Sequence, residues 1–192
     1  MSGILRWIIG PAARPPVVLA AAALLVLSSA CSGPRYSDDS FYGDVAWGIM
    51  QGVGTIYNQN VVGTPVGAID ATAGGPYGQG TVHITGTTSY DSGTGIETAH
   101  LQYDLTNCRI SATSSSSNLN VDLTLDGVIN EDGSWSTATT YVSLSYNSAS
   151  LRVSGSSERD SRQRDVNGTT SYHAERTTSG TSAELFGHDV TW

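Results

Sequence analysis

Four histidines and two cysteines hold most of the reactive side-chain chemistry in this 192-residue chain: His83, His100, His173, His188, Cys31 and Cys108. Histidine changes charge near neutral pH and is the commonest metal ligand. His173 has the best-placed companion. Glu175 lies two residues on, and in a strand both side chains would share one face, as two metal ligands could. These two are the candidate metal ligands, whereas His188 and Asp189 would face opposite ways. No H-E-x-x-H pair, close His/Cys cluster or G-x-S-x-G nucleophile turn is present. No catalytic residue is therefore assigned, no cofactor is implied, and a binding or structural role is expected ahead of an enzymatic one. Arg159, Arg162 and Arg164 alternate with Glu158, Asp160 and Asp165. A phosphate site would need arginines without competing carboxylates, so this stretch reads as an exposed, self-neutralised hairpin.

The first thirty residues have a different character. Arg6 and Arg14 precede an apolar run from Val17 to Leu27, and the small residues Ser28, Ser29 and Ala30 lead to Cys31. Charged start, short apolar core and small residues are the layout of a secretory signal peptide. A membrane-spanning helix needs about 20 apolar residues, and extending this run upstream would take in Arg14, Pro15 and Pro16. Leu27-Ser28-Ser29-Ala30-Cys31 resembles the lipobox of bacterial lipoproteins, with Ser28 where that class usually carries an aliphatic residue. The resemblance covers residues 1–31 and implies a signal peptide over 1–30, cut before Cys31 by signal peptidase II. It further implies a diacylglycerol thioether on Cys31 and acylation of the new amino group, so that the partner is a membrane reached through covalent lipid. Ser32 rather than aspartate after Cys31 then favours the outer membrane of a Gram-negative envelope.

Charge agrees with such a location. Nine Arg and no Lys stand against seventeen Asp and Glu, a net −8, and removal of Arg6 and Arg14 leaves seven against seventeen, or −10. Nucleic acid and anionic headgroups both require clustered positive charge, which excludes nucleic acid as a partner. A lipidated Cys31 would leave Cys108 as a free thiol, expected to be buried as a small hydrophobe. Without the lipid, a Cys31–Cys108 bridge would be open to it.

The remaining chain must be built from its hydrophobic periods. Residues 31–41 read as a lipidated tether and 42–192 as a single globular domain. Val45, Ile49, Val53, Ile56 and Tyr57 form one helical stripe, predicting a helix over about 44–60 with Asp44 as its cap. Gly48 and Gly52 lie four apart and would let another backbone come close. The Gly- and Pro-rich residues 61–80 read as a loop, and from 80 to 192 the period becomes two. Turn signals lie at 91–95, 114–117, 130–133, 147–149 and 167–168.

An apolar-x-apolar-x-Gly pattern recurs at Val82–Gly86, Leu123–Gly127 and Leu151–Gly155, with each glycine on the buried face, where it would bend the sheet. The fold class is mainly β (α+β): a curled antiparallel sheet of seven or eight strands in meander order with one N-terminal helix packed on it. The functional expectation is a lipid-anchored extracytoplasmic protein. Two alternatives accompany it. One is a carrier of an apolar ligand held between helix and sheet. The other is an outer-membrane β-barrel, since Gly187, Val190 and Trp192 resemble the closing-strand signal of that class.

Overall fold

The computed structural model describes residues 36–136 and 142–192. Residues 1–35, on which the signal-peptide and lipidation readings fall, lie outside the described residues. Helix α1 spans Asp38–Asn60. Eight antiparallel strands follow in meander order: β1 Gly67–Gly74, β2 Thr81–Asp91, β3 Ile96–Ser114, β4 Leu119–Ser136, β5 Val142–Arg159, β6 Arg162–Thr177, β7 Gly180–Leu185 and β8 His188–Thr191. They form one open sheet whose edges are β1 and β8.

The helix begins earlier than its apolar stripe indicates. Ser37 is the N-cap, its Oγ accepting a hydrogen bond from the Ser40 amide at 3.2 Å, and Asp38 and Asp39 occupy the first turn where the helix dipole favours negative charge. Residues 38–41 are therefore helix rather than tether, and the Phe41 ring is already core. Asp44 caps nothing. It is buried inside the helix, where Arg159 from the end of β5 grips both its carboxylate oxygens and Tyr36 donates to it at 2.5 Å. Arg159 and Arg164 of the β5–β6 hairpin thus reach to the helix, since Arg164 also bonds Asp38 at 2.8 Å and lies over the Phe41 ring.

Residues 61–80 are not all loop. Gly67–Gly74 pairs with β2 as an edge strand, which small residues permit and which only Ile69 anchors in the core. Three expected turns also lie inside strands. Residues 130–133 belong to β4, 147–149 to β5 and 167–168 to β6, while the turns at 91–95 and 114–117 fall where their residues place them. Polar residues at 130–133 and 147–149 mimic turns because these long strands keep one wet face and carry irregularities. An extra residue at Thr106–Asn107 in β3 shifts its inward set from Leu101, Tyr103 and Leu105 to Cys108 and Ile110. Another between Ser148 and Leu151 does the same in β5. Asp126 holds the first bulge by accepting from the Asn107 amide at 2.8 Å.

The recurring glycines explain how the sheet covers its apolar face. Gly86, Gly127 and Gly155 have φ of +137°, +124° and +134°, a backbone state that L side chains rarely adopt. A single helix about 10 Å across packs against six successive strands, β3 to β8, spaced about 4.8 Å apart. Only a curled sheet allows that.

Val45, Ile49, Val53 and Ile56 enter the concavity with Ile84, Leu123, Leu125 and Leu151, all fully buried, each worth about 1.5–3 kcal/mol in removed apolar surface. Gly48 and Gly52 admit side chains rather than another backbone: Val121 fills the space of a Gly48 Cβ, and Ile110 would stand 2.7 Å from one on Gly52.

Gly54, on the same helix, has open space where its side chain would be. Two substitutions of identical chemistry should therefore have opposite signs. Gly54→Ala is expected to stabilise the protein by about 1 kcal/mol through helix propensity. Gly48→Ala is expected to destabilise it by about 1–3 kcal/mol through overpacking. Equilibrium urea unfolding measures both, and equal effects would contradict the packing described.

Candidate functional site

The four histidines are engaged pairwise. His83 bonds Asp70 at 2.8 Å, His100 bonds Asp132 at 2.7 Å, and His173 lies 2.6 Å from Asn147 Oδ1 and 3.3 Å from Glu175. These three sit on the outer face and link neighbouring side chains across or along strands. His188 differs: it pairs with Leu185 in register, stacks on Tyr42 of α1 at 4.4 Å and bonds Asp39 at 2.9 Å. It serves helix docking. His173 and Glu175 do share a face, but among the described residues no group of three His, Cys, Asp or Glu could hold a metal ion. Cys108 has no disulfide partner among the described residues; it is buried against the 75–80 turn, and burial raises its pKa to about 11. Such a thiol is inert.

Two clefts open beside α1, one near each end, while the middle of the helix is sealed onto the sheet. Each contains a buried acid. In the N-terminal cleft this is Asp44, 4% exposed, and its two oxygens are saturated by Arg159 and Tyr36. Charge and hydrogen bonds are satisfied inside the protein, so Asp44 clamps the helix to the β5–β6 end of the sheet.

The second cleft, about 470 Å³, lies between the latter half of α1 and strands β4–β6. Its sheet wall follows directly from register. On the inward face Glu131 of β4 stands opposite Tyr146 of β5, Gly133 opposite Leu144 and then Arg176 of β6, and Trp135 opposite Val142. The helix contributes Met50, Gln51, Gly54, Thr55, Tyr57 and Asn58. A side chain at Gly54 would enter this space, and its absence keeps the cleft open. The Tyr57 and Trp135 rings meet edge to face, 5.4 Å apart at 87°, forming a corner. Tyr57 Oη donates to Glu97 at 2.5 Å, which fixes that ring.

Glu131 is the unusual residue. It is 3% exposed, and no cation pairs with it among the described residues. Its one hydrogen bond comes from the fully buried Tyr103 hydroxyl at 2.5 Å. Burial raises its pKa to about 7; the Tyr103 bond opposes that shift, and the charge of neighbouring Asp132 adds to it. Burial likewise raises the pKa values of Tyr57, Tyr103 and Tyr146, which keeps all three as neutral hydroxyls. Tyr146, 4% exposed, lines the cleft and its hydroxyl has no hydrogen-bond partner among the described residues. Arg176 at the mouth is also without an ion pair there. A buried carboxyl lacking a counter-charge, an uncommitted hydroxyl and aromatic walls around an open space are the features of a ligand site.

Sequence reasoning placed 130–133 in a turn and so missed this site. The signal was present in β4: odd positions from Leu119 through Ile129 are inward, and Glu131 continues that series where an apolar residue is expected.

Because the fold favours neutral Glu131, the associated stability is complete below the ordinary carboxyl pKa and is lost as pH rises through about 7. Glu131→Gln, which still accepts from Tyr103, should match the wild type near pH 5. At pH 8.5 it should exceed it by about 2–3 kcal/mol in urea unfolding. An unchanged difference between the two pH values would contradict this environment for Glu131.

Scans against protein-family models, curated proteins and solved structures return no match for this chain, so the site stands on its own geometry.

Proposed function

We propose that this is a lipid-anchored extracytoplasmic binding protein that holds a small ligand in the cleft between the latter half of α1 and β4–β6. The observation that carries the binding reading is the pair at the cleft floor: among the described residues, buried Glu131 has no counter-charge and the Tyr146 hydroxyl no hydrogen-bond partner. Catalysis is a weaker reading, because the floor offers one acid and no nucleophile or second acid poised beside it. For an apolar ligand between helix and sheet, the cleft is favoured over the body of the interface, where Val45, Ile49, Val53 and Ile56 pack without exposure.

Anchoring is supported by the Leu27–Cys31 resemblance, and the net negative chain suits a body facing solvent. A transmembrane barrel would need a closed sheet with an apolar outer band. This sheet is open, and its outward positions include Gln102, Asp104, Asn120 and Arg152, all exposed. Two acyl chains supply the double hydrophobic signal that stable anchoring requires.

Intact-mass analysis of the membrane-extracted protein should give a chain starting at Cys31 with the mass of diacylglycerol plus one acyl group. Cys31→Ala should leave the membrane fraction or retain its leader. An unmodified Cys31 at the mature terminus, or normal anchoring of Cys31→Ala, would overturn the anchored reading.

A further inference from the structure

We infer that the cleft at Glu131 takes a small alkylated ammonium ion, held by the corner of Tyr57 and Trp135, the Tyr146 ring and the carboxylate beneath. The inference rests on the reading of this cleft as a ligand site and adds the class of ligand. Three observations select it.

The first is charge. The acid that lines the cleft is the buried Glu131. An anion placed on this floor would meet Glu131 at close range in a poorly solvated setting, where like charges repel strongly. A cation there supplies the counter-charge that the fold leaves out.

The second is the walls. Aromatic faces attract cations through the ring quadrupole, and desolvated sites strengthen that attraction. The perpendicular Tyr57 and Trp135 rings present two walls, and Tyr146, directly opposite Glu131 in register, presents a third. Gly54 leaves the helix side clear for the ligand's bulk.

The third is the apolar share of the lining. Met50, Val142, Leu144 and the aromatic rings surround the floor, which suits methyl groups on the nitrogen better than the three N–H donors of a primary ammonium. Arg176 stands at the mouth, exposed to solvent, so its repulsion is screened and weak.

Binding should then depend on pH. The titratable and charged groups around Glu131 are Tyr103 on β3, Asp132 beside it, Tyr146 on β5, Tyr57 on α1 with its partner Glu97 on β3, and Arg176 on β6. The tyrosines stay neutral, and Glu131 is the group that titrates near neutrality. Deprotonation favours a cation, so affinity should rise between pH 5.5 and 8.5, with a proton released on binding near pH 7.

The test is isothermal titration of the full chain in nonionic detergent with choline, with its uncharged carbon isostere 3,3-dimethylbutanol, and with benzoate. Choline is expected to bind, about tenfold or more tightly than the isostere. Glu131→Gln and Trp135→Ala should each weaken choline by about tenfold. Arg176→Gln, far from the core, should strengthen it slightly and keeps the test valid if the buried variants fold poorly. Equal binding of choline and its isostere, or binding of benzoate that Arg176→Gln weakens, would overturn the cation assignment while leaving the cleft a ligand site. Binding of none of the three across the pH range would overturn the cation assignment and count against the ligand site itself.

Discussion

One helix has to cover the apolar face of an open eight-stranded sheet, and most of the structure follows from that constraint. A flat sheet of this width would leave Ile84 or Leu185 in water when α1 lay over its middle. The chain meets the difficulty from both sides. The sheet bends at Gly86, Gly127 and Gly155 and shifts register at the bulges in β3 and β5. The helix gives up side chains at Gly48 and Gly52 so that Val121 and Ile110 can press into it. Those glycines lower intrinsic helix stability by about 1 kcal/mol each. Burial of Val45, Ile49, Val53 and Ile56 on the same stripe outweighs that cost.

Covering a curved sheet with a straight helix leaves its ends to be dealt with separately, and the two ends are treated differently. At the N-terminal end Asp44 is buried, but Arg159 and Tyr36 saturate it, and Arg164 ties Asp38 and Phe41 to the same hairpin. Removing a partner from a buried ion pair is costly, so this end is locked. Towards the C-terminal end Glu131 is buried with, among the described residues, a single hydrogen bond and no counter-charge. A fold needing only stability would place an apolar residue there. The two buried acids differ in this: one is fully partnered inside the protein, and the other lines an open cleft with a single hydrogen bond.

The broad architecture was legible because hydrophobic period reports which face is buried. The stripe from Val45 to Tyr57 and the alternation around Leu123 or Tyr103 lead to one helix on an antiparallel meander, and the repeated glycines to its curl. Boundaries were harder. Ser37 and two aspartates start the helix before any apolar residue announces it, and β1 holds its place by backbone pairing with almost no hydrophobic signal. The Asn-Glu-Asp-Gly run looked like a turn because local composition cannot distinguish a polar turn from a strand with one wet face. That error concealed the candidate site, since Glu131 is informative only once its neighbours are known to be inward. Asp44 was hidden likewise: its partner Arg159 is 115 residues away in sequence.

The cleft's chemistry turns on the state of Glu131, a desolvated carboxyl that lines it with no cation beside it among the described residues. Carboxyl carbon NMR of the labelled protein, with the Glu131 resonance assigned by its loss in Glu131→Gln, measures that state directly. The account predicts a titration midpoint near 7. A midpoint near the ordinary glutamate value of about 4.3 would contradict it, because such a carboxyl would already be solvated or paired rather than desolvated and lacking a cation.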